Sequence, residues 1–207
     1  MDRLAAQVVR VLDPGGGLIG ETALVGAGID EGGGTTALFA GVDGAWVEYD
    51  HRRSVRVLDA GWREPFFRET LPGRALGPGM VGEARLAGRN AVEVWTTDSD
   101  TGQAIAEATF RFDEPVRRIA ELASDRAGDI VLAVHLLSED AAQGFAVTRE
   151  ALVVLVLDRA LAERRRIVTT PSVGAWEQFK EFEVAADGAI WQMAFVADGV
   201  EVRRWRP

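Results

Sequence analysis

The 207-residue chain contains no cysteine, which removes disulfides, thiolate metal sites and a cysteine nucleophile together. Its two histidines, His51 and His135, leave little room for a histidine-based triad or a multi-histidine metal site. Asn90 is the single asparagine and Lys180 the single lysine. No apolar run approaches the roughly 18 to 20 residues that span a bilayer, so no membrane insertion is expected. The segment from Met1 to Gln7 lacks the basic-then-apolar pattern of a signal peptide.

Positive charge is also in short supply. With 23 basic against 32 acidic residues the net charge is −9 and the pI about 4.8. A surface of that sign repels phosphate backbones and anionic lipid, which argues against nucleic acid and membrane surfaces as partners. At 47% hydrophobic and 27% charged residues, the chain has the composition of an ordinary globular domain and can bury a sizeable core. We read residues 1–207 as one domain.

What the chain has is a phrase that returns: an apolar strand, an Asp-Gly type turn, then a second apolar strand. It reads Leu38 to Val47 around Asp43-Gly44, Leu122 to Leu132 around Asp125 to Asp129, and Phe182 to Trp191 around Asp187-Gly188. A looser copy runs from Arg85 to Val94. Such turns supply the positive φ that a tight hairpin needs. Recurrence every roughly 35 to 60 residues predicts small antiparallel sheets set radially, an all-β propeller of about four to five blades.

A second hairpin type frames the first. Val8 to Leu12, a turn at Asp13 to Gly17, and a returning strand from Leu18 match Val153 to Leu157, the turn at Asp158 and the strand that follows. Both read as the outer hairpin of a sheet whose inner hairpin is the Asp-Gly phrase, so four strands per blade is the economical assignment. Trp62 to Gly82, with three prolines among glycines, predicts a short fourth strand and a crossing loop. Pro115 to Ala123 has the opening of a helix, but its match to the stretch before Trp191 predicts strand. The array then begins on an outer hairpin and finishes on a third strand. Either the amino-terminal strand closes the last blade, or the array belongs to a larger ring with open edges able to self-associate.

The stretches Asp125-Arg126-Ala127-Gly128-Asp129-Ile130-Val131 and Asp187-Gly188-Ala189-Ile190-Trp191 resemble repeats of bacterial β-propeller proteins of the NHL-like or six-bladed type. The resemblance extends loosely from Gln7 to Trp205. It implies a binding or assembly module, exported or in the cell envelope, while some relatives are lactonases or other metal-dependent hydrolases. It identifies a scaffold and not an activity.

Residue chemistry yields few candidates. Asp98 and Asp100 open a loop like that of a calcium site, yet a third oxygen ligand is missing before Gly102 and Glu107 falls at the wrong spacing, so a plain turn is expected. Gly15–Gly17 and Gly32–Gly34 lack a P-loop ending and read as loops. Trp46, Trp95 and Trp191 are expected in the core between blades; Trp62, Trp176 and Trp205 are the better candidates for a contact surface. Arg164-Arg165-Arg166 and Arg203-Arg204 with Arg206 are expected to be solvated or edge-protecting. No serine sits in a nucleophile elbow. We therefore expect no catalytic residue, no metal site and no cofactor, and a non-catalytic scaffold that binds another protein. A propeller-type metal-dependent hydrolase or a carbohydrate-binding propeller is the alternative.

Overall fold

A single turn design, repeated, lays out the fold. In the computed structural model, which describes residues 8–23, 35–41, 43–49, 53–63, 70–77, 79–172 and 181–206, an aspartate side chain repeatedly gathers the backbone N–H groups ahead of it. The Asp13 carboxylate accepts from the N–H of Gly15 at 2.8 Å and of Gly17 at 2.7 Å. Asp59 accepts from Gly61 and Arg63, and Asp158 from Ala160 and Ala162. In each of these the backbone of the aspartate pairs with a carbonyl four residues on. The penultimate residue sits in the left-handed region: Gly16 at φ 85°, Trp62 at 60° and Leu161 at 63°. Asp125 to Asp129 repeats the pattern, and Ala185 to Ala189 keeps its backbone bonds with Asp187 as the acceptor.

Between the turns run seventeen strands among the described residues. An amino-terminal hairpin pairs β1 (Val8–Leu12) with β2 (Leu18–Ala23). The first blade is β3 (Thr35–Gly41), β4 (Gly44–Tyr49), β5 (Arg53–Leu58) and β6 (Thr70–Pro72). The second is β7 (Arg74–Leu76), β8 (Met80–Leu86), β9 (Ala91–Asp98) and β10 (Ala104–Arg111). The third is β11 (Val116–Ser124), β12 (Ile130–Asp140), β13 (Ala146–Leu157) and β14 (Glu163–Thr169). The fourth is β15 (Phe182–Val184), β16 (Ile190–Val196) and β17 (Gly199–Trp205). Strands within each sheet follow chain order and pair antiparallel, and the sheets are arranged as a four-bladed β-propeller. No α-helix occurs among the described residues.

Blades are joined face to face by apolar side chains. β12 and β13 explain why their sequence is almost continuously hydrophobic: Ile130, Leu132, Val134, Val153 and Leu155 pack with Met80, Val92 and Phe110 of the second blade. On the opposite face Val131, Ala133, Leu152 and Val154 pack with Phe182 and Ile190 of the fourth. Both faces are covered, so alternation disappears. Trp46, Leu71 and Val81 join the first two blades, and Val9 of the hairpin joins Val47, Tyr49, Val55 and Val57 of the first. Each such fully buried Leu, Val or Phe contributes about 1.5–3 kcal/mol. The turns between first and second strands also meet around the axis, through Gly79 N–H on Asp43 at 3.2 Å, Gly77 N–H on Ser124 Oγ at 2.8 Å and Arg126 N–H on the Ala186 carbonyl at 3.4 Å.

Two expectations change and one is met and extended. The stretch Arg85 to Val94 is not a copy of the inner hairpin; it is the second-to-third strand hairpin β8–β9, the inner one being β7–β8. Trp62 to Gly82 holds the expected short fourth strand, β6, and a crossing between blades at Gly73 in a tight positive-φ bend at 94°, and among its described residues it also holds β7 and the start of β8, of the next sheet. Finally, no pairing links β17 with β1 or β2 among the described residues, so the amino-terminal strand does not complete the last sheet there. Pro115 to Ala123 carries β11, with no helical turn.

Candidate functional site

β12 and β13 are the longest strands, of 11 and 12 residues, and they outrun the blade that holds them. Residues 141 to 150 are all exposed, so this stretch projects into solvent. Its base is anchored on both faces. On one, Glu114 of the β10–β11 connection accepts the Ser138 hydroxyl and, at 2.9 Å, an Arg149 guanidinium N–H. Ser138 first, then Arg149, holds the Glu114 carboxyl below the usual carboxylate range. The Leu137 N–H donates to the Pro115 carbonyl at 2.9 Å beside them. On the other face His135 Nε2 meets Glu150 at 2.7 Å.

The tip is built, not slack. Asp140 caps a single 3₁₀ turn, Ala141–Gln143, accepting the Ala142 N–H at 2.9 Å and the Gln143 side-chain amide at 2.8 Å. Gly144 at φ 68° and Phe145 at φ 63° then take consecutive left-handed conformations, and the Phe145 N–H closes the turn on the Asp140 carbonyl at 2.9 Å. For phenylalanine that backbone costs about 1–2 kcal/mol. The ring is nevertheless 67% exposed, with Val147 at 55% beside it. A strained backbone that presents an apolar ring to water does nothing for the core, and such strain collects at binding sites. Sequence reading passed this tip over. Its signal was Ser138 to Gly144, polar and small, followed by a lone Phe outside any apolar alternation.

The residues singled out from sequence are dispersed, and most are consumed by the fold. His135 is buried, its Nε2 on Glu150 and its Nδ1 within the protein; a general base needs a ring nitrogen turned toward substrate. Asp98 is a turn acceptor, taking the N–H of Asp100 at 3.0 Å, the N–H of Thr101 at 2.8 Å and the Thr101 hydroxyl at 2.9 Å. Those Thr101 bonds lower its pKa. Asp100 pairs with Arg56, and Glu107 stands exposed on β10. Gly15–Gly17 form the β1–β2 turn. Asn90 lends its carbonyl to the Phe112 N–H. His51, Trp176 and Gly32–Gly34 lie outside the described residues.

Of the tryptophans, Trp46 is core, at 3% exposed. Trp95 and Trp191 are half-buried, each under an arginine of the adjoining strand: Arg85 lies 4.8 Å from the Trp95 ring centre and Arg204 lies 4.9 Å from that of Trp191. Trp46 and Trp191 occupy second strands, whereas Trp95 occupies a third strand, so the three are not equivalent. Trp62 is exposed in its turn, and Trp205 packs half-buried on the last core. The basic runs are largely paired. Arg166 binds Glu163, Arg164 binds Asp158, and Arg203 binds Thr169, the Thr170 carbonyl and Glu201.

One guanidinium bridges two carboxylates of different blades. Arg74 on β7 contacts Glu48 of the first blade at 3.0 Å, Glu121 of the third at 2.6 Å and the Leu122 carbonyl at 3.0 Å, with the Glu48 side chain only 1% exposed. A cation seated between these two carboxylates would have to displace Arg74. No group of three or more His, Asp or Glu able to hold a metal ion occurs among the described residues, and no helix of the described chain is long and apolar enough to cross a membrane. No protein-family model matches the sequence, and no curated protein matches it.

Proposed function

We propose that the chain is a non-catalytic propeller scaffold that engages another protein through the tip of the β12–β13 hairpin. The observation that carries this reading is Phe145, an exposed ring on a strained, hydrogen-bonded tip. Aromatic anchors held rigid before contact lose little conformational entropy on binding, which is why they dominate interface energetics. The polar collar of Glu114, Ser138, Arg149, His135 and Glu150 beneath the tip supports the same reading, because it fixes the direction in which the hairpin points. Kinship with NHL-like propellers of the bacterial envelope belongs to this proposal and rests on the two turn phrases alone.

A photo-crosslinking residue at position 145 tests the proposal in the native cell, with one at Val168, an exposed site on outer strand β14, as control. The expected result is a discrete protein adduct from position 145 that is lost when Asp140→Ala loosens the tip. No adduct at 145, or the same adducts from both positions, overturns it.

A further inference from the structure

The hairpin of β12 and β13 runs past the strands that flank it in the third blade. β14 pairs with β13 only from Leu152 to Leu157, so Ala146 to Ala151 have no strand on their outer side among the described residues. Alternation along the ladder decides which backbone groups this leaves open. The Leu137 N–H turns away from β13 to the Pro115 carbonyl, so Leu137 and its partner Glu150 form a non-hydrogen-bonded pair, and the Glu150 N–H and C=O point outward. Two residues further along β12, Glu139 stands in the same phase, which turns the N–H and C=O of its partner Val147 to the outer edge as well. Neither backbone has a hydrogen-bond partner on that edge among the described residues.

We infer that this edge of β13 takes up a short extended segment of the partner protein as an added strand, which holds only if the hairpin tip is the contact proposed above. The chemistry of the edge sets the occupant, because a row of outward N–H donors and C=O acceptors is matched by another extended backbone. On the opposite side of the hairpin β12 is accompanied as far as Ser138 by Pro115 and Glu114, so β13 offers the longer edge. Natural sheets blunt such edges with charge or proline. β14 follows that rule with Arg164, Arg165 and Arg166, whereas Ala146-Val147-Thr148 carries neither, although it stands exposed beside Phe145. Thr148, the extra residue of the bulge opposite Ser138 and Glu139, returns its hydroxyl to the Ser138 carbonyl at 3.2 Å, and this interruption keeps the added strand short. An apolar or β-branched side chain of that strand pairs with the exposed Val147.

The test places the photo-crosslinking residue at position 145 of the full chain, in the native cell, in three backgrounds: wild type, Val147→Ala and Val147→Pro. Alanine keeps the outward N–H and proline removes it, at an edge position where a sheet tolerates proline; melting curves check that both variants fold. The adduct is expected to survive alanine and to fall about tenfold further with proline, because a carbonyl of the added strand is left without its donor. A second measurement moves the crosslinker to Thr148 on β13 or Glu139 on β12, and the same partner should be captured from 148 and not from 139. This comparison decides alone if the proline variant melts below the alanine one. Equal yields from the folded alanine and proline variants, or equal capture from 139 and 148, overturn strand addition and leave the tip contact standing. No adduct from position 145 in the wild type overturns the tip contact and strand addition with it.

Discussion

At position 161 glycine should nearly match alanine, where a buried extended site would rank it clearly below. Leu161 is 3% exposed, lies in the core between the second and third blades, and holds φ 63° to close the turn on the Asp158 carbonyl. Leu161→Ala removes a buried side chain, which costs about 2–5 kcal/mol, and leaves the backbone strain in place. Leu161→Gly removes one methyl more, worth about 0.8 kcal/mol, but releases about 1–2 kcal/mol of left-handed strain against about 0.5–1 kcal/mol of added chain entropy. The terms nearly cancel, which places glycine within about 1 kcal/mol of alanine on either side, centred near equality. Ala133→Gly supplies the reference. Ala133 is 0% exposed in the extended strand β12, where entropy and the lost methyl add to about 1.5 kcal/mol against glycine. Urea unfolding midpoints, with slopes compared to confirm a common transition, give the three differences. If glycine falls below alanine at 161 by as much as it does at 133, the turn stores no such strain and the argument fails.

Other perturbations have equally definite outcomes. Arg74→Met removes the guanidinium that bridges buried Glu48 and half-buried Glu121 and should cost about 1.5–3 kcal/mol, the range for hydrogen bonds to charged groups, with Glu48→Gln and Glu121→Gln added together restoring part of it; a urea midpoint within error of wild type for the single variant would contradict this. Gly44→Ala and Gly73→Ala put a Cβ into the Leu58 and Gly82 carbonyls respectively, at positive φ, and should each lose more than about 2 kcal/mol. Gly88→Ala, at φ 91° with nothing within 4 Å, should lose only about 1 kcal/mol when all three are compared by urea unfolding midpoints. The Thr101 bonds lower the Asp98 pKa, so their stabilisation is present above the ordinary carboxylate pKa and is lost as pH falls through the depressed one. The deficit of Thr101→Val relative to wild type should therefore shrink between about pH 5 and pH 2 in urea midpoints.

How much of this could be read beforehand depended on whether local chemistry alone dictated the result. Asp125 to Asp129 was legible because a side-chain acceptor at its start and Gly128 in the left-handed position specify the turn without help from elsewhere. Trp62 and Leu161 fill that position with residues that disfavour it, so the same turn left no glycine to find. β6 and β7, three residues each, are too short for alternation to register and are held by their neighbours. Arg74 joins residues 26 and 47 positions away in sequence, a distance at which spacing carries no information. The candidate site was missed for a related reason: Phe145 was one apolar residue in a polar stretch, and only the extension of β12 and β13 beyond the blade shows that it stands alone.

The third blade is a party wall. β12 and β13 give one face to each of two cores, so a lesion such as Leu155→Ala or Leu152→Ala should loosen different halves of the molecule, the first toward the second blade and the second toward the fourth. Neighbour-to-neighbour architecture of this kind opens from its extremities inward. Amide exchange should accordingly be slowest in the middle of β12 and quickest in β1 and β17, where each strand has a partner on one edge only among the described residues.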